Sequence, residues 1–280
     1  MDTSGWNCPT CRGFVLTPFC ARCGEEPLAQ RDLTIRGLAE NLLHALTSID
    51  ARVLRTTRRL LRRPGQLTRE WSIGIRKPYV APFQLFLVAN VMFFALQSLT
   101  GEIVLSSPLD SHLHHQDWSD LAQSLLAERL DARHLSIETY APIFDSAVAL
   151  NAKSLIGLMA IPFTLLLPIV FWHARRPFMT HVAFALHLYT FLLLLFSVAM
   201  LVARLSAWVG FGGLESAAVD DALSIANLAA CSGYIYCAIG PVYAAAGKLR
   251  VVQALILSLA VAAIFLGYRF ALFVITLYTA

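Results

Sequence analysis

Four cysteines near the N-terminus, Cys8, Cys11, Cys20 and Cys23, stand in the order C-x2-C-x8-C-x2-C. Two such hooks supply four soft thiolates at the spacing a tetrahedral zinc site needs, each hook wrapping one side of the ion. One structural Zn2+ held by all four is therefore expected. The competing chemistry is a redox pair of the thioredoxin type, but that normally sits in a strand-helix-strand pattern, which the sequence around these residues lacks. The segment 1–30 is too short to build its own hydrophobic core, so metal binding would supply its folding energy.

Two further groups of side chains have chemistry to offer. His112, His114 and His115, with Asp117 close behind, are of types that bind zinc, copper or nickel, although clustered histidines in a polar loop also read as solvated side chains. Arg55, Arg63, Arg76 and Lys77 could grip a phosphorylated lipid headgroup. They lie in a basic region, 31–78, expected to form amphipathic helices on the membrane surface. Ile35, Leu38, Leu42, Leu46 and Ile49 recur there at steps of three and four, and a second, arginine-rich helix is expected from Asp50 to the stop at Pro64-Gly65. Residues 1–79 carry 13 Lys plus Arg against 7 Asp plus Glu, an excess of six that suits anionic lipid headgroups. A solvated helix obeying the positive-inside bias is the alternative, and nucleic acid is the least favoured partner.

What must position these groups is read from hydropathy. With 57% hydrophobic and only 14% charged residues, the chain departs from the usual soluble mixture, and most of it is expected to be solvated by lipid. Five stretches, about 79–99, 154–172, 181–203, 225–246 and 251–279, reach the roughly 17 to 25 residues needed to span a bilayer. The expected class is an all-α integral membrane protein of about five transmembrane helices, 79–280, with a small N-terminal zinc ribbon. The first apolar run lies beyond about residue 78, so no secretory signal is expected at the N-terminus.

The connections alternate in charge. Segment 100–152 holds eight acids and is expected as an acidic extracytoplasmic loop; 204–224 is also acidic, whereas 173–180 and 247–250 are basic. This places the N-terminus in the cytoplasm, where thiols stay reduced and available to metal, and the C-terminus outside. The last stretch exceeds one crossing, so either a helix that overshoots the membrane or a break at Gly267 is expected. Pro162 and Pro168 are expected to kink the second span.

The runs Phe19-Cys20-Ala21-Arg22-Cys23-Gly24, Ile49-Asp50, Arg55-Thr56, Arg63-Pro64-Gly65 and Gly74-Ile75-Arg76-Lys77, then Tyr79 and Pro82, together resemble a bacterial family catalogued as domain of unknown function 3667. The likeness is densest over about 19–99. Family members usually have Gln after the knuckle glycine, where this chain has Glu25. The resemblance implies a zinc-ribbon-like knuckle joined to a multi-span region in the bacterial cytoplasmic membrane, and it brings no catalytic residues.

No span contains Asp or Glu, so a proton relay built on an intramembrane carboxylate has no material. H-E-x-x-H, G-x-S-x-G and G-x4-G-K-[ST] are all absent, which removes the best support for zinc-protease, α/β-hydrolase and nucleotide-hydrolysing readings. The expectation is a non-enzymatic membrane scaffold whose zinc ribbon docks a cytoplasmic protein partner. The alternatives are a small-molecule or lipid permease and, less favoured, a lipid-modifying enzyme using His173, His181 or His187.

Overall fold

Glycine and proline punctuate the chain where its helices begin and end. The computed structural model describes residues 5–8, 12–22, 51–75, 78–101, 107–213 and 216–280. The expected helix carrying Ile35 to Ile49, and the residues Cys11, Cys23, Arg76 and Lys77, lie outside them. Contacts divide the chain into two units, Met1–Leu54 and Arg55–Ala280.

In the first unit, β1 (Trp6–Asn7) and β2 (Phe14–Val15) form an antiparallel hairpin in which Trp6 faces Val15 and Asn7 faces Phe14. The Cys8 N–H donates to the Gly13 carbonyl at 3.0 Å and the Arg12 N–H to the Cys8 carbonyl at 2.8 Å. Arg12 closes this turn in the left-handed region, at φ 58°. Strands of two residues cannot hold themselves together in water, and among the described residues of this unit the buried apolar groups are Cys8, Val15 and Cys20, with Trp6 packed against them.

The second unit is helical. Helix α1 covers 51–62, and the turn at Pro64-Gly65 leads into α2 (Gln66–Ser72). Pro82, whose missing N–H costs nothing at a helix start, opens α3 (Pro82–Thr100). Then follow α4 (Leu109–His114), α5 (Ser119–Arg133), α6 (Ile137–Leu155), α7 (Ala160–Val170), α8 (Phe178–Trp208), α9 (Ala217–Tyr243) and α10 (Gly247–Thr279). Four of them, α3, α8, α9 and α10, are long and apolar enough to cross a membrane. A fifth crossing is available if the bent pair Ile137–Lys153 and Ile156–Val170 counts as one. The chain is thus all-helical and of the membrane-spanning type, as its hydropathy indicates.

Three features specify the expected topology further. Among the described residues segment 100–152 is largely helical, and Tyr140, Phe144 and Val148 of α6 are buried while Asp110, Asp120, Glu128, Asp131, Glu138 and Asp145 are carried on α4, α5 and α6. The 56° bend lies where Ile137–Lys153 meets Ile156–Val170, just ahead of a 3-10 turn Ile156–Met159. Pro162 still bears on it: the N–H it lacks would have bonded to the carbonyl of Leu158, inside that turn. The last stretch is one unbroken helix of 33 residues, in which Gly267 interrupts nothing.

α8 forms the spine of the bundle, flanked by α2, α3, α7 and α9, while α10 packs on α9, α7 and α6. Aromatic pairs tie the layers together. Phe171 stacks on Tyr243 with ring centroids 3.8 Å apart, and Phe191 on Tyr234 at 4.0 Å. Where Pro241 cannot donate to the Cys237 carbonyl, Arg250 does so at 3.3 Å, and also reaches the Tyr236 carbonyl at 2.8 Å. Gly240 leaves room for that guanidinium, since a Cβ there would lie 2.9 Å from Arg250 Cζ.

Candidate functional site

Two places concentrate polar groups inside the helical unit. The first is the turn between α1 and α2. Residues 51–79 carry nine basic side chains and one acid, Glu70, which is buried. Arg59 donates to both of its oxygens, with Nε to Oε2 at 3.3 Å, and Gln66 donates to Oε1 at 3.3 Å. Burial pushes the Glu70 carboxyl up, but hydrogen bonds from Arg59, Tyr79 and Gln66 outweigh it and hold its pKa below the ordinary value. The Glu70 bond correspondingly raises the Arg59 pKa. Burial first, then the bond to Glu70, raises that of Tyr79.

The rest of this region is locked by packing. The Val80 N–H donates to the fully buried Thr56 hydroxyl at 3.1 Å, and Thr68 of α2 shares a 2.8 Å hydrogen bond with His187 Nδ1 of α8. Gly65 has φ 78°, and a Cβ on it would stand 2.2 Å from the Ala238 carbonyl oxygen of α9. Residues expected on the membrane surface, Leu60, Leu67 and Thr68, are therefore buried. Arg55 and Arg63 of the expected headgroup quartet are exposed.

The second place is a cavity of about 720 Å³ bounded by α3, α8, α9, α10 and the segment joining α4 to α5, a size within the usual range for a small-molecule site. α10 presents Ser258, Val261, Ala262, Phe265, Leu266 and Arg269 to it, and α9 presents Asp220, Leu223, Ser224, Asn227, Leu228 and Cys231. Steps of three and four make each set one helix face. Joined by only residues 244–246, α9 and α10 run antiparallel, and Asp220 and Arg269 both lie about 33 Å from that turn at 1.5 Å per residue. Arg269, Asp220, Ser224 and Asn227 therefore gather at one end, with His115 and Gln116 beside them. Tyr189, Leu192, Leu193, Phe196 and Phe86 line the remainder.

Arg269 donates from Nη2 to the Ser107 hydroxyl at 2.6 Å, while its buried Nε has no partner. Among the described residues no carboxylate forms an ion pair with it. The Tyr189 hydroxyl, on a side chain 3% exposed, is likewise without a partner.

Of the three histidines expected as a second metal set, His114 and His115 both lie beside Asp110, at 2.9 and 4.0 Å, while His112 is turned away from them. His112 is buried between Phe273, Phe144 and Trp118, whose Nε1 donates to its Nδ1 at 3.4 Å. His114 is exposed and paired with Asp110 at 2.9 Å. Leu113 and its neighbours form a helix, so adjacent positions point to different sides, and among the described residues no group of three or more His, Cys, Asp or Glu is placed to hold a metal. Burial, and then the charge of Arg269, depress the His112 pKa to about 4.

Of the zinc cysteines, Cys8 and Cys20 come together in the N-terminal cluster. Both are buried, while the other two expected ligands, Cys11 and Cys23, lie outside the described residues. Glu70 was missed in the sequence reading, although its being the lone acid among nine basic residues was a usable signal. Nothing in the sequence singled out Arg269 as a cavity residue, because the wall is assembled from separate helices.

This architecture defines the class: an all-helical membrane-type protein with a half-open cavity between its helices, apolar along most of its length and polar at one end. The sequence profile of a family described as protein of unknown function (DUF3667) matches residues 50–94, which cover α1, the Gly65 turn, α2 and most of α3. Over that segment the resemblance drawn from the motifs is borne out. No curated protein and no solved structure matches the chain.

Proposed function

We propose that this protein binds and carries an amphipathic small molecule or lipid within its helical bundle. The observation that carries this reading is the cavity, whose apolar stripes on α8, α9 and α10 lead to a cluster of polar side chains at one end. Chemistry on the bound molecule is less well supported. His181 shares a 2.9 Å hydrogen bond with Tyr243 and His187 is bonded to Thr68, so both serve packing. The orientation we propose is that of the charge pattern, in the bacterial cytoplasmic membrane with the N-terminus inside and the C-terminus outside. Arg129 and Arg133 of the acidic segment donate to the carbonyls of Tyr278 and Ala280, consistent with that segment and the C-terminus sharing a side. Exposed Arg55 and Arg63, together with Arg76 and Lys77, would meet anionic headgroups on the inner face.

Native mass spectrometry of the detergent-extracted full chain tests the reading. Wild type should retain an amphiphile, and Ala199→Trp, which fills the cavity wall, should not. Equal retention by both, or none by wild type, overturns it. A second reading, a scaffold that docks a cytoplasmic protein through a zinc ribbon, is favoured by the burial of Cys8 and Cys20 in one cluster. The same spectra should show one zinc in wild type and none in Cys20→Ser, and a zinc-dependent stoichiometric protein partner would move the function to the ribbon.

A further inference from the structure

We infer that the cavity selects an anionic amphiphile, a single-chain carboxylate or phosphate whose head group is bound by Arg269 and whose tail runs along α8 and α10. This rests on the cavity being a binding site, as proposed above, and adds the chemistry of its occupant. An arginine cation drawn into a protein wall is strongly unfavourable unless a counter-charge and hydrogen-bond acceptors meet it. Arg269 satisfies one Nη through Ser107 and leaves Nε buried without an acceptor, on the face that lines the cavity. Asp220, exposed at that end, is near enough for its charge to act on Arg269 but makes no direct ion pair with it. A ligand oxyanion would supply both the charge and the missing acceptor, and the fixed fork of a guanidinium suits the two oxygens of a carboxylate or phosphate.

The remaining wall sets the tail. From Arg269 to Ser258 the α10 face runs about 16 Å at 1.5 Å per residue, through Phe265, Leu266, Ala262 and Val261. No charged side chain interrupts it. At its far end the unpartnered Tyr189 hydroxyl favours a tail with a terminal or subterminal acceptor, though an alkyl chain alone fills the apolar stretch.

The test loads the full-length protein, in neutral-detergent micelles, with dodecanoate, dodecyl phosphate, 1-dodecanol or inorganic phosphate, and reads half-occupancy by native mass spectrometry. Wild type should take up one dodecanoate or dodecyl phosphate at concentrations about tenfold to a hundredfold below those needed for dodecanol. Arg269→Gln should abolish that preference and Arg269→Lys should keep part of it, with thermal unfolding confirming that each variant is folded. Should Arg269→Gln fail to fold, the wild-type ratio of dodecanoate to dodecanol still decides. Equal uptake of acid and alcohol would overturn the anionic assignment while leaving the cavity reading intact. Uptake of none of the chains would overturn both. Inorganic phosphate binding as tightly as dodecyl phosphate would overturn the amphiphile in favour of a free anion.

Discussion

The two polar regions of the helical unit differ in how completely their groups are satisfied. At the α1–α2 turn, Glu70 collects donors from Arg59, Gln66 and Tyr79, Thr56 accepts from Val80, and Gly65 lies flush against the Ala238 carbonyl. Around the cavity, Arg269 Nε and the Tyr189 hydroxyl are buried without partners. At the turn the buried carboxylate is fully met and His187 Nε2 is left without a partner, whereas at the cavity it is the charged group itself that is incompletely met, which is costly in low dielectric and marks where a ligand could compensate. The family-matched segment, 50–94, contains the first region and contributes to the cavity only through Phe86 of α3.

The largest expected effect tests the rigidity of the docked turn. Gly65→Ala should cost about 3 kcal/mol or more, because a left-handed backbone and a Cβ collision with a carbonyl act together. Gly74→Ala, at φ 95° but in open space, should cost only about 1 kcal/mol. Thermal unfolding of the two variants in detergent compares them directly, and equal losses would mean the contact with α9 contributes nothing.

His112 sharpens the other side. Its folded pKa of about 4 lies below the ordinary 6.5, so neutral His112 favours the fold. The sign follows: stability is full above about pH 6.5, declines as pH falls toward 4, and is flat below. The shift corresponds to roughly 3 kcal/mol. His112→Phe should flatten the decline in unfolding temperature across that window; an unchanged slope would place its cause elsewhere.

Glu70→Gln should cost about 1 to 3 kcal/mol, since it strands the half-buried Arg59 without its anion. With the folded pKa of Glu70 below its ordinary 4.5, this contribution is present above about pH 4.5 and lost as pH falls through the folded value. A denaturation series at pH 7 and below 4 should show the wild type converging on the variant in acid. The smallest effect is expected from Arg133→Ala, whose bond to the Ala280 carbonyl is exposed; a change above about 1 kcal/mol would show that the C-terminal contact matters more than its exposure suggests.

Hydropathy alone was enough to locate the apolar helices to within several residues, because each must satisfy its own backbone hydrogen bonds whatever its neighbours do. It also exposed the cysteine spacing and the motifs around Arg55-Thr56, Pro64-Gly65 and Tyr79. Within the acidic segment 100–152 the sequence suggests helix around Ser119 to Leu130, where α5 lies, but not α6, which buries Tyr140 and Phe144 although eight acids dominate the composition. Average polarity hides a helix with one buried face. Tertiary structure alone decided that Arg59 and Glu70 meet, that His112 leaves the company of His114 and His115, and that Arg269 borders a cavity with Asn227 and Tyr189. The first and last of those relations join residues from about ten to about eighty positions apart. They depend on helix rotation and packing, whereas spacing within one helix fixes only which residues share its face.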